Sequence, residues 1–182
     1  MYRHILFSGI LCASLVAVVT PSRAGSLPKS PAIQRKAARI FQAVQSEARQ
    51  ARDHADNLES FRTPGEPSWN VVAAQLNDLR AEVNDMAGRL QRLERLRSRA
   101  TRRQQAEIDH LSTRAQLLAN YTADAITFAD NNQHDLWNLT YRRYIADADH
   151  DARMLERTAD HAVERAKLDR EGRQSGNVRT AS

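Results

Sequence analysis

Apolar residues recur along most of the chain at alternating spacings of three and four. The most regular run is Trp69, Val72, Leu76, Leu79, Val83, Met86, Leu90 and Leu93, with Asp78, Arg80, Glu82 and Arg92 between them. A heptad seam of nearly four repeats predicts a long helix that buries one face against other helices. A second seam, Ala37, Phe41, Val44, Ala48, Ala51, Ala55 and Leu58, predicts a helix from Pro31 to about Ser60. Ser30 supplies its cap, and Pro31 lacks only an N–H that the first turn leaves unused. Ile108, Leu111, Ala115, Leu118, Thr122, Ala125 and Ala129 form a third seam. Tyr141, Ile145, Ala148, Ala152, Leu155, Ala159, Ala162 and Ala166 form a fourth.

The breaks between seams differ in strength. Arg62-Thr63-Pro64-Gly65-Glu66-Pro67 cannot continue a helix, and Ser68 is placed to cap the next one. Between the second and third seams there is neither proline nor glycine, but Thr101-Arg102-Arg103-Gln104 fits a capping box. A turn near Ser98 to Ala100 follows; the alternative is one bent helix continuing to residue 130. Asp130-Asn131-Asn132 favours a third stop, because these side chains compete for backbone hydrogen bonds. The expected helices are 31–60, 68–97, 101–130 and 135–170. From Gly172 the apolar stripe ends, so 173–182 is expected to be a disordered tail. Four helices of about 30 residues, each about 45 Å long, with short connections predict an all-α, up-down-up-down antiparallel four-helix bundle with heptad-patterned helices. No credible strand is present.

The segment before the first seam has a different pattern. Arg3 and His4 precede an apolar run from Ile5 to Val19, and Pro21-Ser22-Arg23-Ala24 resembles a small-residue cleavage site before Gly25. Residues 1–24 are therefore expected to be a signal peptide and 25–30 a linker, with the product periplasmic or secreted. The run falls short of the about 20 apolar residues of a membrane span, so no transmembrane segment is expected in the mature chain. The lone cysteine, Cys12, lies within this run, and Leu11 before it disfavours lipidation. The expected mature chain then has no disulfide, thiolate metal site or thioether-attached haem.

Charge changes the picture once it is sorted by position. The whole chain carries +5, and loss of Arg3 and Arg23 leaves +3. In an up-down-up-down bundle the termini and the second connection share one end. Lys29, Arg35, Lys36 and Arg39, the block Arg89, Arg92, Arg95, Arg97, Arg99, Arg102 and Arg103 against Glu94, and residues 163–173 give that end +11 and leave the rest −8. Arginine outnumbers lysine, and its planar fork suits phosphate and carboxylate. The block is the candidate site for an anionic partner, with a solvated tip as the plain alternative, since cations suit the C-terminus of a helix. No aromatic residues are interleaved with it, so sequence-specific nucleic acid is not expected. The aromatics Phe61, Trp69, Phe128 and Trp137 collect at the other end, where they are expected to plug the bundle.

Other motifs carry less. Glu107-Ile108-Asp109-His110 has the Glu-x-x-His spacing of di-iron bundles, and Asp147-Ala148-Asp149-His150 is a looser copy. Ile108 and Leu111 occupy the seam, however, which puts Glu107 and His110 on its flanks. His161 could serve a haem only with a methionine early in the first helix, and none is there. Asp147, Asp149 and Asp151 alternate along a helix and do not converge. Asn70, Asn77 and Asn84 recur every seven residues, as an interhelical ladder or as solvated side chains. No phosphate loop, catalytic triad or paired carboxylates can be assembled, so neither an enzyme nor a cofactor is expected.

Ser68-Trp69, the region of Asn84, Gln104-Gln105 and Tyr141-x-x-Tyr144 give residues 31–170 a resemblance to uncharacterised exported bacterial helical-bundle proteins. The resemblance implies a signal peptide and a helical bundle, and no known activity. The sequence thus points to an exported non-catalytic bundle that binds an anionic cell-envelope component or acidic partner through its arginine-rich end. The alternatives are a lipid-binding or chaperone-like protein whose amphipathic helices open and, third, a metal or haem carrier. Self-association is open to a heptad seam.

Overall fold

A computed structural model describes residues 31–61, 68–136 and 138–179, with side chains through 172. The leader, linker, Pro64-Gly65 break and Trp137 lie outside the described residues. Four helices run α1 Pro31–Ser60, α2 Trp69–Glu94, α3 Arg102–Asn131 and α4 Leu139–Arg179. Each packs on its two neighbours in the cyclic order α1, α2, α3, α4, which is a four-helix bundle with antiparallel neighbours.

Burial follows the four seams. Every seam position of α1 is buried, and α2 buries all of its seam except the half-exposed Trp69. In α3 the seven predicted positions are buried together with Ile126, and in α4 only Ala166 is partly exposed. Phe41, Leu79, Met86, Leu93, Ile108, Leu111, Leu118, Ile145 and Leu155 are the bulkiest apolar side chains fully shielded from water. Each leucine contributes roughly 1.5–3 kcal/mol by burial and an alanine far less, so stability is concentrated in α2 and α3.

Several boundaries differ from expectation. α2 ends at Glu94, and a 3-10 turn at Arg97–Arg99 forms a corner before α3, which excludes one bent helix. Ala100 is extended and buried, and Thr101 closes the predicted capping box: Gln104 N donates to Thr101 Oγ1 at 3.1 Å, and Thr101 N donates to Gln104 Oε1 at 3.0 Å. Gln105 Nε2 donates to Arg97 O at 2.9 Å and pins the corner. Ser68 precedes α2 but makes no side-chain cap. α4 begins at Leu139 rather than near Asp135. Residues after Asn131 form turns instead, and Asn138 caps the helix by accepting from Thr140 N at 2.9 Å. At its other end α4 continues to Arg179, through the segment expected as a tail. Gly172 and Gly176 cost about 1 kcal/mol each, and the helix runs through both among good formers such as Arg170, Glu171, Arg173 and Gln174.

Candidate functional site

The corner between α2 and α3 brings the arginine block to one end of the bundle, and the structure divides the seven candidates. Arg89 is drawn into the α1–α2 interface, where its Nε donates to the buried Glu47. Arg97 reaches over the corner to Asp109, with Nε at 3.1 Å from Oδ1 and Nη2 at 2.8 Å from Oδ2, and lies 3.7 Å from Glu94. These two hold the fold. Arg92, Arg95, Arg99, Arg102 and Arg103 are exposed and form no ion pair or hydrogen bond through their side chains among the described residues.

Their positions are not equally favourable. Arg92 lies in the last turn of α2 and Arg95 caps its C-terminus, where cations complement the helix dipole. Arg102 and Arg103 occupy the first turn of α3, which holds no acidic residue. Cations at that position lose about 0.3–1 kcal/mol each. A solvated helix end accounts for the first pair and not for the second.

Charge is segregated along the bundle. Residues 31–40, 89–106 and 163–172 hold thirteen basic and four acidic side chains, a net +9. The other residues with described side chains hold eight basic and seventeen acidic, a net −9. On the acidic stretch the charges mostly serve the fold. From α4, Asp160 accepts from Gln45 Nε2 at 2.6 Å and from Arg49 Nη2 at 3.1 Å, both on α1. Glu156 accepts from Arg49 Nε at 3.3 Å and Arg52 Nη1 at 2.7 Å. Arg153 is held by Asp149 at 3.0 Å and bonds to Asp56 of α1. The result is a ladder of polar contacts from Gln45 to Asp56 that closes the α1–α4 seam.

Among the described residues four carboxylates are buried, and none of them occupies a seam position. Glu47 and Glu107 are each 6% exposed, Asp149 is 7% and Asp151 is 4%. Arg165 Nη1 serves Glu107 at 3.2 Å, and Arg114 Nη1 serves Asp151 at 2.9 Å. Burial pushes the Glu47 and Glu107 carboxyls above their ordinary range, partly countered by Arg89 and Arg165. Each of the four acids stands directly beside a seam residue (Ala48, Ile108, Ala148 or Ala152), which is the signal that could have located them. Asp56 is also raised, by burial and by a hydrogen bond with Asp149.

The remaining candidates separate in space. Glu107 is engaged by Arg165, His110 and His150 are exposed, and Asp147 lies 3.7 Å from Arg143. Among the described residues no three His, Cys, Asp or Glu side chains converge. Asn70 and Asn84 are exposed and Asn77 is half-buried, and no ladder joins them. At the aromatic end Phe128 stacks on Tyr141 with centroids 6.0 Å apart and meets Tyr144 edge-on at 6.5 Å. Leu58, Phe61, Trp69, Val72, Leu136 and Tyr141 wall most of a pocket of about 80 Å³. The Tyr141 hydroxyl is buried without a partner among the described residues, and burial raises its pKa. Because that oxygen is shielded even from water, it cannot address a ligand in the pocket.

No helix among the described residues is long and apolar enough to cross a membrane. No known protein family matches the chain, and neither curated proteins nor solved structures provide a match.

Proposed function

We propose that this chain is an exported, non-catalytic helical bundle whose arginine-rich end holds an anionic partner. The observation that supports it best is the pair Arg102 and Arg103, exposed cations in the first turn of α3, which itself holds no acid; the buried Glu107 lies one turn on from Arg103 and is bonded by Arg165. They oppose the helix dipole and contribute nothing evident to packing, so a partner's negative charge is the natural compensation. Arg92, Arg95 and Arg99 extend the same unpaired field around the corner. Competing with this is an opening of the bundle onto apolar surfaces. That would first have to break the polar ladder between α1 and α4.

Retention on immobilised sulfated dextran tests the proposal. The parent chain is expected to bind at low ionic strength and elute as salt shortens the Debye length to about 3 Å near 1 M. Replacing Arg92, Arg95, Arg99, Arg102 and Arg103 by glutamine is expected to abolish retention while leaving the melting temperature nearly unchanged. Equal retention of the two proteins would leave the arginines as a solvated tip.

A further inference from the structure

We propose that the surface this end recognises is planar: a bilayer face rich in anionic phosphate headgroups, on which the bundle stands upright. The inference rests on the reading that the arginine-rich end takes an anionic partner, and it adds the partner's class and the geometry of contact.

Three observations support it. The exposed cations come from all four helices and the corner, as Arg39 on α1, Arg92 on α2, Arg99 at the corner, Arg102 on α3 and Arg170 on α4 illustrate. A linear polyanion is best served by a stripe of charge along one face, whereas a ring around an end matches a plane normal to the helix axes. The second observation is the segregation of charge. The body behind the ring carries net −9, so a side-on approach to an anionic surface brings like charges together. Standing on end, helices about 45 Å long hold most of that acidic body beyond the Debye length of about 8 Å at physiological salt. The third is Leu168, 56% exposed between Lys167 and Asp169 on the mixed-charge last turns of α4, where an apolar side chain suits the headgroup boundary. The chemistry agrees, since guanidinium forks pair with phosphate oxygens in two-point contacts. Aromatic side chains for stacking on nucleobases are missing from the ring's described residues.

The test is sedimentation of the exported chain, from Gly25 onward, with phosphatidylcholine vesicles, with and without phosphatidylglycerol. Each basic residue near an anionic membrane contributes roughly five-fold in affinity. The five-arginine glutamine protein should therefore lose at least about 100-fold, and the corresponding lysine protein, which keeps the charge, should lose far less. That contrast separates lost charge from lost folding. Orientation is read in a Trp137→Phe chain, which leaves Trp69 as its single tryptophan, at the opposite end. Energy transfer from Trp69 to a dansyl-labelled headgroup is expected to stay low on binding. Strong transfer would mean that the bundle lies flat or opens, and equal binding to neutral vesicles would mean that charge does not direct it; either overturns the inference. Binding to sulfated dextran without binding to phosphatidylglycerol vesicles also overturns it, yet spares the anionic-partner reading. Failure on both probes removes the two together.

Discussion

The α1–α4 seam and the α2–α3 half of the core solve the same packing problem with different materials. α1 and α4 bring mostly alanines to the centre: Ala37, Ala48, Ala51 and Ala55 from one, Ala148, Ala152, Ala159 and Ala162 from the other. α2 contributes no buried alanine, and Leu76, Leu79, Leu90 and Leu93 fill the space facing Ile108, Leu111 and Leu118 of α3. Small side chains let two backbones approach, and close backbones put flank side chains within reach of one another. That is why the polar ladder from Gln45 to Asp56 is built on the alanine seam. Bulk supplies most of the cohesion on one side, while charge pairing sets register on the other.

The comparison is broken most severely by removing bulk where bulk matters. Leu79→Ala is expected to cost about 2–5 kcal/mol, read from urea or thermal unfolding. A neutral result would contradict the packing assigned to α2. Adding bulk to the alanine seam comes next. Ala152→Leu should force α1 and α4 apart at a cost of about 1–3 kcal/mol, and tolerance of the leucine would show that the seam is looser than described. Cutting the ladder is milder, because its members are partly solvated. A double-mutant cycle on Arg52 and Glu156 should give a coupling of about 0.2–1 kcal/mol that shrinks in high salt. A coupling unaffected by salt would argue against an electrostatic origin.

The smallest expected effect carries an informative sign. The Glu47 carboxyl is raised above its ordinary value of 4.5, chiefly by burial. A raised acid makes the folded state the stronger proton binder. Its contribution is therefore present below the unfolded pKa and is lost as pH rises through the folded one. Glu47→Gln keeps an acceptor for Arg89 and removes this titration. Relative to the parent, the variant should gain stability over the pH window above the ordinary carboxyl value of 4.5. A relative loss over that window would show that the ion pair with Arg89 outweighs the desolvation.

Much of this architecture was legible because heptad periodicity specifies which face of each helix is buried, independently of what it meets. The capping box at Thr101 and Gln104 was equally plain, since both of its partners lie within one turn. The ladder was not, because it joins residues about 100 apart in sequence whose mutual facing exists only after the bundle forms. The same reason hid the division within the arginine block. Arg89 and Arg92 look alike in sequence, yet only the first stands opposite a buried acid. Asn138 caps α4, which places the start of that helix four residues after the expected Asp135. Such a cap is a local signal and was available.

The span of the ladder also has a kinetic consequence. The α2–corner–α3 hairpin is built from local contacts, with a short connection whose closure entropy is small. Gln45 and Asp160 are separated by 115 residues, so the contact between α1 and α4 must wait for nearly the whole chain to be ordered. Closing that seam is then the last step of folding, and opening it the first step of unfolding. Substitutions at Arg52 or Glu156 should accelerate unfolding and leave the folding rate almost unchanged, with φ values near zero, whereas Leu79→Ala and Leu111→Ala should slow folding. High φ values at Arg52 would mean instead that the two ends of the chain find each other early.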